Sequence, residues 1–294
     1  MRAFAFYLFY ILNRIFALLP LRILYIFSDL LFILLYYFPG YRKKVVQTNL
    51  KNAFPEKTPS ELKTIERKFY RHLADLFAEI IKLPNLSNSA LLKRCRIENI
   101  ELLEKLCNEG RDTVAIVGHY NNWEYLTVIS LLTRYTCITV YKPLKNKYFD
   151  KYFIWLRTRQ KMLVTPMSQV VRDIIEYRKK GTRILVSLLA DQTPSRGDIH
   201  YWTTFLNQET PVYLGAEKIA SKYDMAVVFF NHQKIKRGYY SVKFELLFDH
   251  TRELPEHLIT EAHVKRLEEI IIEKPEYWLW SHRRWKHKRE KTSE

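Results

Sequence analysis

The sequence predicts an α/β domain: a central, largely parallel mixed sheet flanked by helices, preceded by N-terminal membrane-associated helices. Two observations predict it. From residue 113 onward, short β-branched apolar runs alternate with stretches of helical period, the pattern that builds parallel sheets through crossover helices. Ahead of that, residues 3–38 are almost wholly aliphatic and aromatic.

The apolar N-terminus is broken only by Asn13-Arg14, Pro20, Arg22 and Ser28-Asp29. It is too long for the single short core of a signal peptide, and no convincing cleavage site follows. Ala3 to Leu21 approaches the ~20 residues that cross a ~30 Å hydrocarbon layer, so a transmembrane or deeply embedded helix is expected there. Ile23 to Phe38 is shorter and carries Asp29, so it is expected to pack on the domain or lie in the membrane interface. Arg42-Lys-Lys44 and Lys51 come next, which favours a cytoplasmic location for the rest of the chain. The competing reading is a soluble protein that uses this stretch as core helices.

A helix is expected from Pro59-Ser60 through Ile81, with Leu62, Ile65, Phe69, Leu73, Leu76 and Ile80 at helical spacing. Another spans about 97–110. Then come strand 113–117, helix 124–133, strand 136–141, helix 148–160, a short strand at 163–165, helix 168–180 and strand 183–190. After a long loop, helix 211–222, strands 225–232 and 239–248, and helix 257–273 complete the set. The organisation expected is membrane-anchoring helices over 1–40, a helical lead-in over 41–110, the α/β domain over 111–288 and a charged tail over 289–294.

With 294 residues the chain can bury a large core. Its formal charge of +17, from 48 Lys+Arg against 31 Asp+Glu, implies attraction to nucleic acid, an anionic membrane surface or an acidic partner. The position of the apolar residues favours the membrane. Cys95, Cys107 and Cys137 are odd in number and show no Cys-x-x-Cys spacing, which argues against a zinc site or a disulfide framework and fits a reducing compartment.

Chemistry concentrates in His119-Tyr-Asn-Asn-Trp-Glu124. The histidine falls in a strand-to-helix turn and the glutamate in the first helical turn, with Asn121 or Asn122 available as N-cap. On one regular helix the two would diverge by about 140°, but a tight turn lets the carboxylate approach the imidazole. A carboxylate on one ring nitrogen fixes the tautomer and stabilises the imidazolium once a proton is taken. That equips the pair to deprotonate an alcohol that attacks an acyl group. The plainer alternative is a capped helix start with an incidental histidine. Neither a His-Glu-x-x-His zinc helix nor a Gly-x-Ser-x-Gly elbow is present, so metal and a serine nucleophile are not expected.

Three other groups stand out. Asp191-Gln192 follows an apolar strand, at the end where open α/β sheets place ligands, although a turn aspartate that caps the next segment fits as well. Arg157 and Arg159, two apart on a helix, point about 200° from each other, so only one faces any site. His282-Arg-Arg284 with Trp278, Trp280 and Trp285 suits phosphate recognition beside a membrane, or stacking of single-stranded nucleic acid.

Four blocks in order carry a family resemblance. Gly118-His-Tyr-Asn-Asn-Trp-Glu124 resembles the Gly-His-Phe-Gly-Asn-Trp-Glu signature of the bacterial lipid A biosynthesis acyltransferases, within the lysophospholipid acyltransferase group. Asp191-Gln192 with Arg196-Gly197 and Phe205, and then Thr210-Pro211 through Gly215, Ala216 and Ala220, resemble its middle blocks. Pro275-Glu-Tyr-Trp-Leu-Trp-Ser-His-Arg-Arg-Trp-Lys286 resembles its close. Asn121 stands where the family has glycine, which a left-handed backbone would tolerate in asparagine.

The resemblance implies a glycerolipid acyltransferase-like fold without cofactor. It further implies transfer of a fatty acyl chain from acyl carrier protein, or acyl-CoA, to a hydroxyl of a phosphorylated lipid A precursor. The place implied is the cytoplasmic face of a bacterial inner membrane, with no nucleic acid partner expected. His119 is then the general base and Glu124 orients it. Asn122, Asp191, Gln192 and one of Arg157 and Arg159 complete the site, and Arg283 and Arg284 bind the phosphorylated acceptor or acidic donor. Another lysolipid, glycolipid or amino-lipid acceptor is the alternative within this chemistry. Outside it stands a non-catalytic basic protein at the membrane surface.

Overall fold

The computed structural model describes residues 2–38 and 40–289. The apolar N-terminus forms α1 (Arg2–Leu18) and α2 (Leu21–Tyr37), separated at Pro20. Each has 17 residues, and no helix among the described residues is long and apolar enough to cross a membrane. At ~1.5 Å per residue α1 measures about 26 Å, short of the ~30 Å hydrocarbon layer. The transmembrane helix expected over 3–21 is therefore not found. α2 packs on the domain through Leu24, Ser28, Phe32 and Tyr36, while Ile23, Ile26, Phe27, Leu30, Ile33 and Leu34 stay exposed.

α3 (Lys43–Ala53) leads to α4 (Pro59–Lys82). Thr58 starts α4 with a capping box, its hydroxyl accepting from Glu61 N while Glu61 Oε2 accepts from Thr58 N at 2.7 Å, and Pro59 fills the first turn. α5 (Asn88–Arg94), β1 (Cys95–Ile97) and α6 (Ile100–Asn108) follow, so the helical lead-in also supplies an edge strand. The α/β alternation then runs β2 (Thr113–Val117), β3 (Thr136–Tyr141), α7 (Lys147–Thr158), β4 (Leu163–Pro166), α8 (Val170–Lys179) and β5 (Ile184–Leu189). The loop expected after β5 contains a hairpin, β6 (Tyr201–Phe205) and β7 (Gln208–Val212), before α9 (Gly215–Tyr223). β8 (Ala226–Lys236), β9 (Tyr239–Phe248) and α10 (Leu258–Glu273) close the domain, and the tail from residue 290 lies outside the described residues.

The main sheet has seven strands in the order β1-β9-β8-β2-β5-β3-β4, parallel throughout except between β8 and β9. Its strands are apolar on both faces, as a sheet covered on both sides requires. Val114, Ile116, Val186 and Val227 meet the layer of α2, α3, α4, α8, α9 and α10. Ala115, Val117, Leu185 and Val228 meet the layer that includes α5, α6, α7 and the segment after β2.

That segment, expected as an α-helix, is a 3-10 helix over Trp123–Leu131. Thr127 Oγ1 bonds the Glu124 carbonyl at 3.1 Å and Ser130 Oγ the Thr127 carbonyl at 2.8 Å. Hydroxyls that occupy the i−3 carbonyls compete with regular helical pairing.

Candidate active site

β2 and β5 are parallel neighbours with Val117 opposite Leu189, and the Ala190 amide bonds the Val117 carbonyl at 3.1 Å. Two residues further along each strand stand His119 and Asp191. The register therefore brings together two residues 72 apart in sequence, at the carboxyl edge of the sheet. Asp191 Oδ1 lies 2.6 Å from His119 Nδ1, while Oδ2 accepts from the His119 amide and from the Trp278 indole, each at 2.8 Å.

Burial alone would raise the Asp191 carboxyl. The electrostatic interaction with His119 and the bonds from His119 and Trp278 outweigh it and hold the group down at about 2. An ionised Asp191 only accepts, so His119 carries a proton on Nδ1 and leaves Nε2 as the basic nitrogen. Gln192 Nε2 sits 3.0 Å from that nitrogen. The Trp123 ring packs edge-on to the imidazole at 4.9 Å.

The turn is held from two sides. Asn121 takes φ 57°, the left-handed geometry anticipated for an asparagine in place of glycine, and its amide side chain bonds the His232 carbonyl at 2.7 Å. The C-terminal block runs alongside: Asn121 N bonds Tyr277 O, and Leu279 N bonds His119 O. Gly118 lies in close approach: a Cβ there would stand 2.6 Å from Leu267 Cδ1 of α10, so that side chain would have to shift.

Glu124, expected to orient His119, makes no bond to it; Asp191 stands at His119 Nδ1 in its place. Instead Glu124 forms a two-point pair with Arg157, whose Nε lies 2.9 Å from Oε2 and Nη2 2.5 Å from Oε1. The pair raises the Arg157 guanidinium against a burial cost that acts the other way. Arg157 sits in the last turn of α7 and is the one of the two arginines that lines the cavity beside His119. Arg159, just past that helix, bonds the Pro84 carbonyl and lies over Trp155, away from the cavity.

His119, Trp123, Glu124, Arg157 and Gln192 line one cavity of about 430 Å³, otherwise walled largely by apolar side chains such as Val140, Phe153, Met167, Leu188 and Leu279. Its size is within the range of small-molecule sites. No serine, threonine or cysteine is among its lining residues.

Two further expected contacts lie elsewhere. Asn122 is 1 % exposed, and its Nδ2 bonds Glu79 Oε2 at 2.7 Å rather than facing the cavity. Arg284 is also 1 % exposed and donates to the Pro211 carbonyl at 2.8 Å; burial pushes its guanidinium down to about 10. Arg283 is exposed. Trp278, Trp280 and Trp285 are buried, so the three indoles pack inside and do not form a stacking or interfacial face.

The sequence reading missed Glu79, a fully buried carboxylate that accepts from Asn122, Tyr240 and Tyr25 beneath the His119 turn. Burial pushes it up, partly offset by Asn122 and Tyr240. A signal existed: His72, Asp75 and Glu79 sit at helical spacing on the inward face of α4.

The family model for bacterial lipid A biosynthesis acyltransferase matches residues 1–287. No curated protein matches the chain significantly.

Proposed function

Since the chain belongs to the bacterial lipid A biosynthesis acyltransferase family and is an acyltransferase, we propose that it moves a fatty acyl chain from a thioester to a sugar-linked hydroxyl of a phosphorylated lipid A precursor. The thioester is acyl carrier protein, whose acidity suits a chain of formal charge +17, or CoA. The observation that carries this reading is the His119–Asp191 pair, with His119 Nε2 on a largely apolar cavity of about 430 Å³.

In the proposed step the acceptor hydroxyl displaces the Gln192 amide from Nε2 and gives its proton to that nitrogen as the oxygen attacks the thioester carbon. The C–O bond forms, the C–S bond breaks, and the imidazolium returns the proton to the departing thiolate. Asp191 holds the ring and stabilises the imidazolium. General-base assistance supplies about 10²–10⁴-fold, so charge stabilisation and positioning must supply the rest. Of the two cations that line the cavity, Lys142 and Arg157, Arg157 is the one proposed to face the developing oxyanion, because its Nε and Nη2 hold Glu124 and leave Nη1 outside the pair. A cavity lined without serine, threonine or cysteine favours direct transfer over an acyl-enzyme.

The membrane role proposed is interfacial. Phe4, Leu8, Ile11, Ile15 and Leu18 of α1 and the exposed face of α2 form an apolar surface suited to lying in a bilayer headgroup region. The inner membrane's cytoplasmic face is the proposed location, and exposed Arg283 is a proposed contact for an acidic group. The test is mass spectrometry of a Kdo-bearing lipid A precursor after incubation with acyl carrier protein thioesters and the purified protein. Acyl gain on that precursor supports the reading, gain only on a lysophospholipid changes the acceptor, and gain on neither overturns it.

A further inference from the structure

A second, smaller groove of about 200 Å³ lies against the catalytic cavity. Ile80, Trp123 and Leu279 line both, so the two spaces meet at a wall whose Trp123 ring packs on His119. The second groove contains none of the groups assigned to the reaction besides that wall. Leu73, Leu76 and Phe77 of α4 form its apolar side, and Leu279, Ser281 and His282 face them. No carboxylate lines it; its ionisable groups are Tyr41, Arg42 and His282, and burial pushes His282 down to about 4, so that histidine is neutral near pH 7. Phe77, an aromatic side chain of α4, is left 42 % exposed.

One end of the groove lies at Tyr41-Arg42, three residues past the exposed Tyr37-Phe38 end of α2. Arg42 is exposed and spends one nitrogen on the Ser281 carbonyl at 3.0 Å. An apolar trough with a guanidinium at one end, a few residues along the chain from the exposed end of α2, matches an anionic lipid lying partly in a bilayer. A soluble acyl donor needs only the catalytic cavity for its chain. The acceptor needs a separate place for a chain it already carries, adjoining the base that deprotonates its hydroxyl.

We infer that this groove binds a hydrocarbon chain of the acceptor lipid, with Arg42 taking its acidic headgroup, so that donor and acceptor chains lie on opposite sides of the Ile80–Trp123–Leu279 wall. The inference rests on the acyltransfer reading above. It accounts for the shared wall: a lipid seated in the groove lies across the Trp123 ring from the catalytic cavity, and that ring packs on His119.

Photocrosslinking of the full chain tests it with two probes, a monophosphorylated glycolipid and an acyl-CoA, each with a diazirine in its chain. Glycolipid adducts are expected on Leu73, Leu76 or Phe77, and thioester adducts on Met167 or Leu188. Phe77→Asp, at a solvent-reaching position, should abolish the glycolipid adducts on α4. Absence of such adducts, their survival in Phe77→Asp, or both probes labelling the same cavity would overturn the inference. Adducts form without turnover. A protein that binds the glycolipid at α4 yet transfers nothing would therefore remove the proposed function and leave the groove standing.

Discussion

Asp191→Asn is the most discriminating single change because the geometry fixes how asparagine must sit. Oδ2 of Asp191 faces two donors, the His119 amide and the Trp278 indole, each at 2.8 Å, whereas Oδ1 faces His119 Nδ1 alone. An asparagine that places its oxygen at Oδ2 keeps two bonds and turns its NH₂ toward Nδ1. The opposite placement sets an NH₂ against two N–H groups. The first arrangement wins, at about 1–3 kcal/mol per buried donor left unpaired. A donor facing Nδ1 moves the ring proton to Nε2, and the base has lost its lone pair. The expected fall in kcat is therefore close to the whole general-base contribution, about 10²–10⁴-fold, equivalent to roughly 2.7–5.4 kcal/mol. Steady-state transfer kinetics with a thermal melt are the assay, and nitrogen-15 shifts of the imidazole report the tautomer. A kcat within tenfold of the parent, with Nδ1 still protonated, would refute this reasoning.

Arg157→Ala should lower kcat by about 10²–10³-fold if it faces the oxyanion, and Arg157→Lys should restore only part, since a lysine cannot hold Glu124 at two points; equal acceptor KM and unchanged kcat would contradict this. Arg284→Ala should destabilise by about 1–3 kcal/mol through the unpaired Pro211 carbonyl, without raising acceptor KM; denaturant melts and kinetics at saturating acceptor check it. Acid should destabilise the protein early. Burial lowers His232 to about 3, and His263 and His282 to about 4, from 6.5, so the unfolded chain takes up protons first as pH falls. Stability from these groups is complete above 6.5 and is lost on the way down to about 4, or about 3 for His232, at up to roughly 1.4 kcal/mol per histidine per pH unit. Denaturant melts at pH 7 and 5.5 that coincide would count against it.

The fold was legible wherever one period ruled a segment. β2, β3 and β9 have the expected limits, and the stripe from Leu62 to Ile80 marked α4 to within a residue. The β6–β7 hairpin was hidden because its turn is Leu206-Asn207, both at positive φ, where hairpins usually advertise glycine. β1 escaped because three residues carry no period, and it exists only through pairing with β9. At the site, His119, Asp191, Gln192 and Arg157 were all legible as candidates. Their partnerships were not. Which carboxylate meets His119 depends on β2 and β5 lying side by side in register, a property of topology and not of spacing within one motif. Arg284 misled for a related reason: a basic run beside tryptophans reads as surface, yet the indoles of Trp280 and Trp285 bond Pro275 O and Thr210 Oγ1 and carry the segment inside.

The central claim is that His119 Nε2 takes the acceptor's proton. Single-turnover transfer from acyl carrier protein to the lipid A precursor, followed by mass spectrometry in His119→Ala and the parent protein, tests it most directly. A loss of about 10²–10⁴-fold with both substrates still bound is the expected result. Transfer by His119→Ala within tenfold of the parent rate would contradict it.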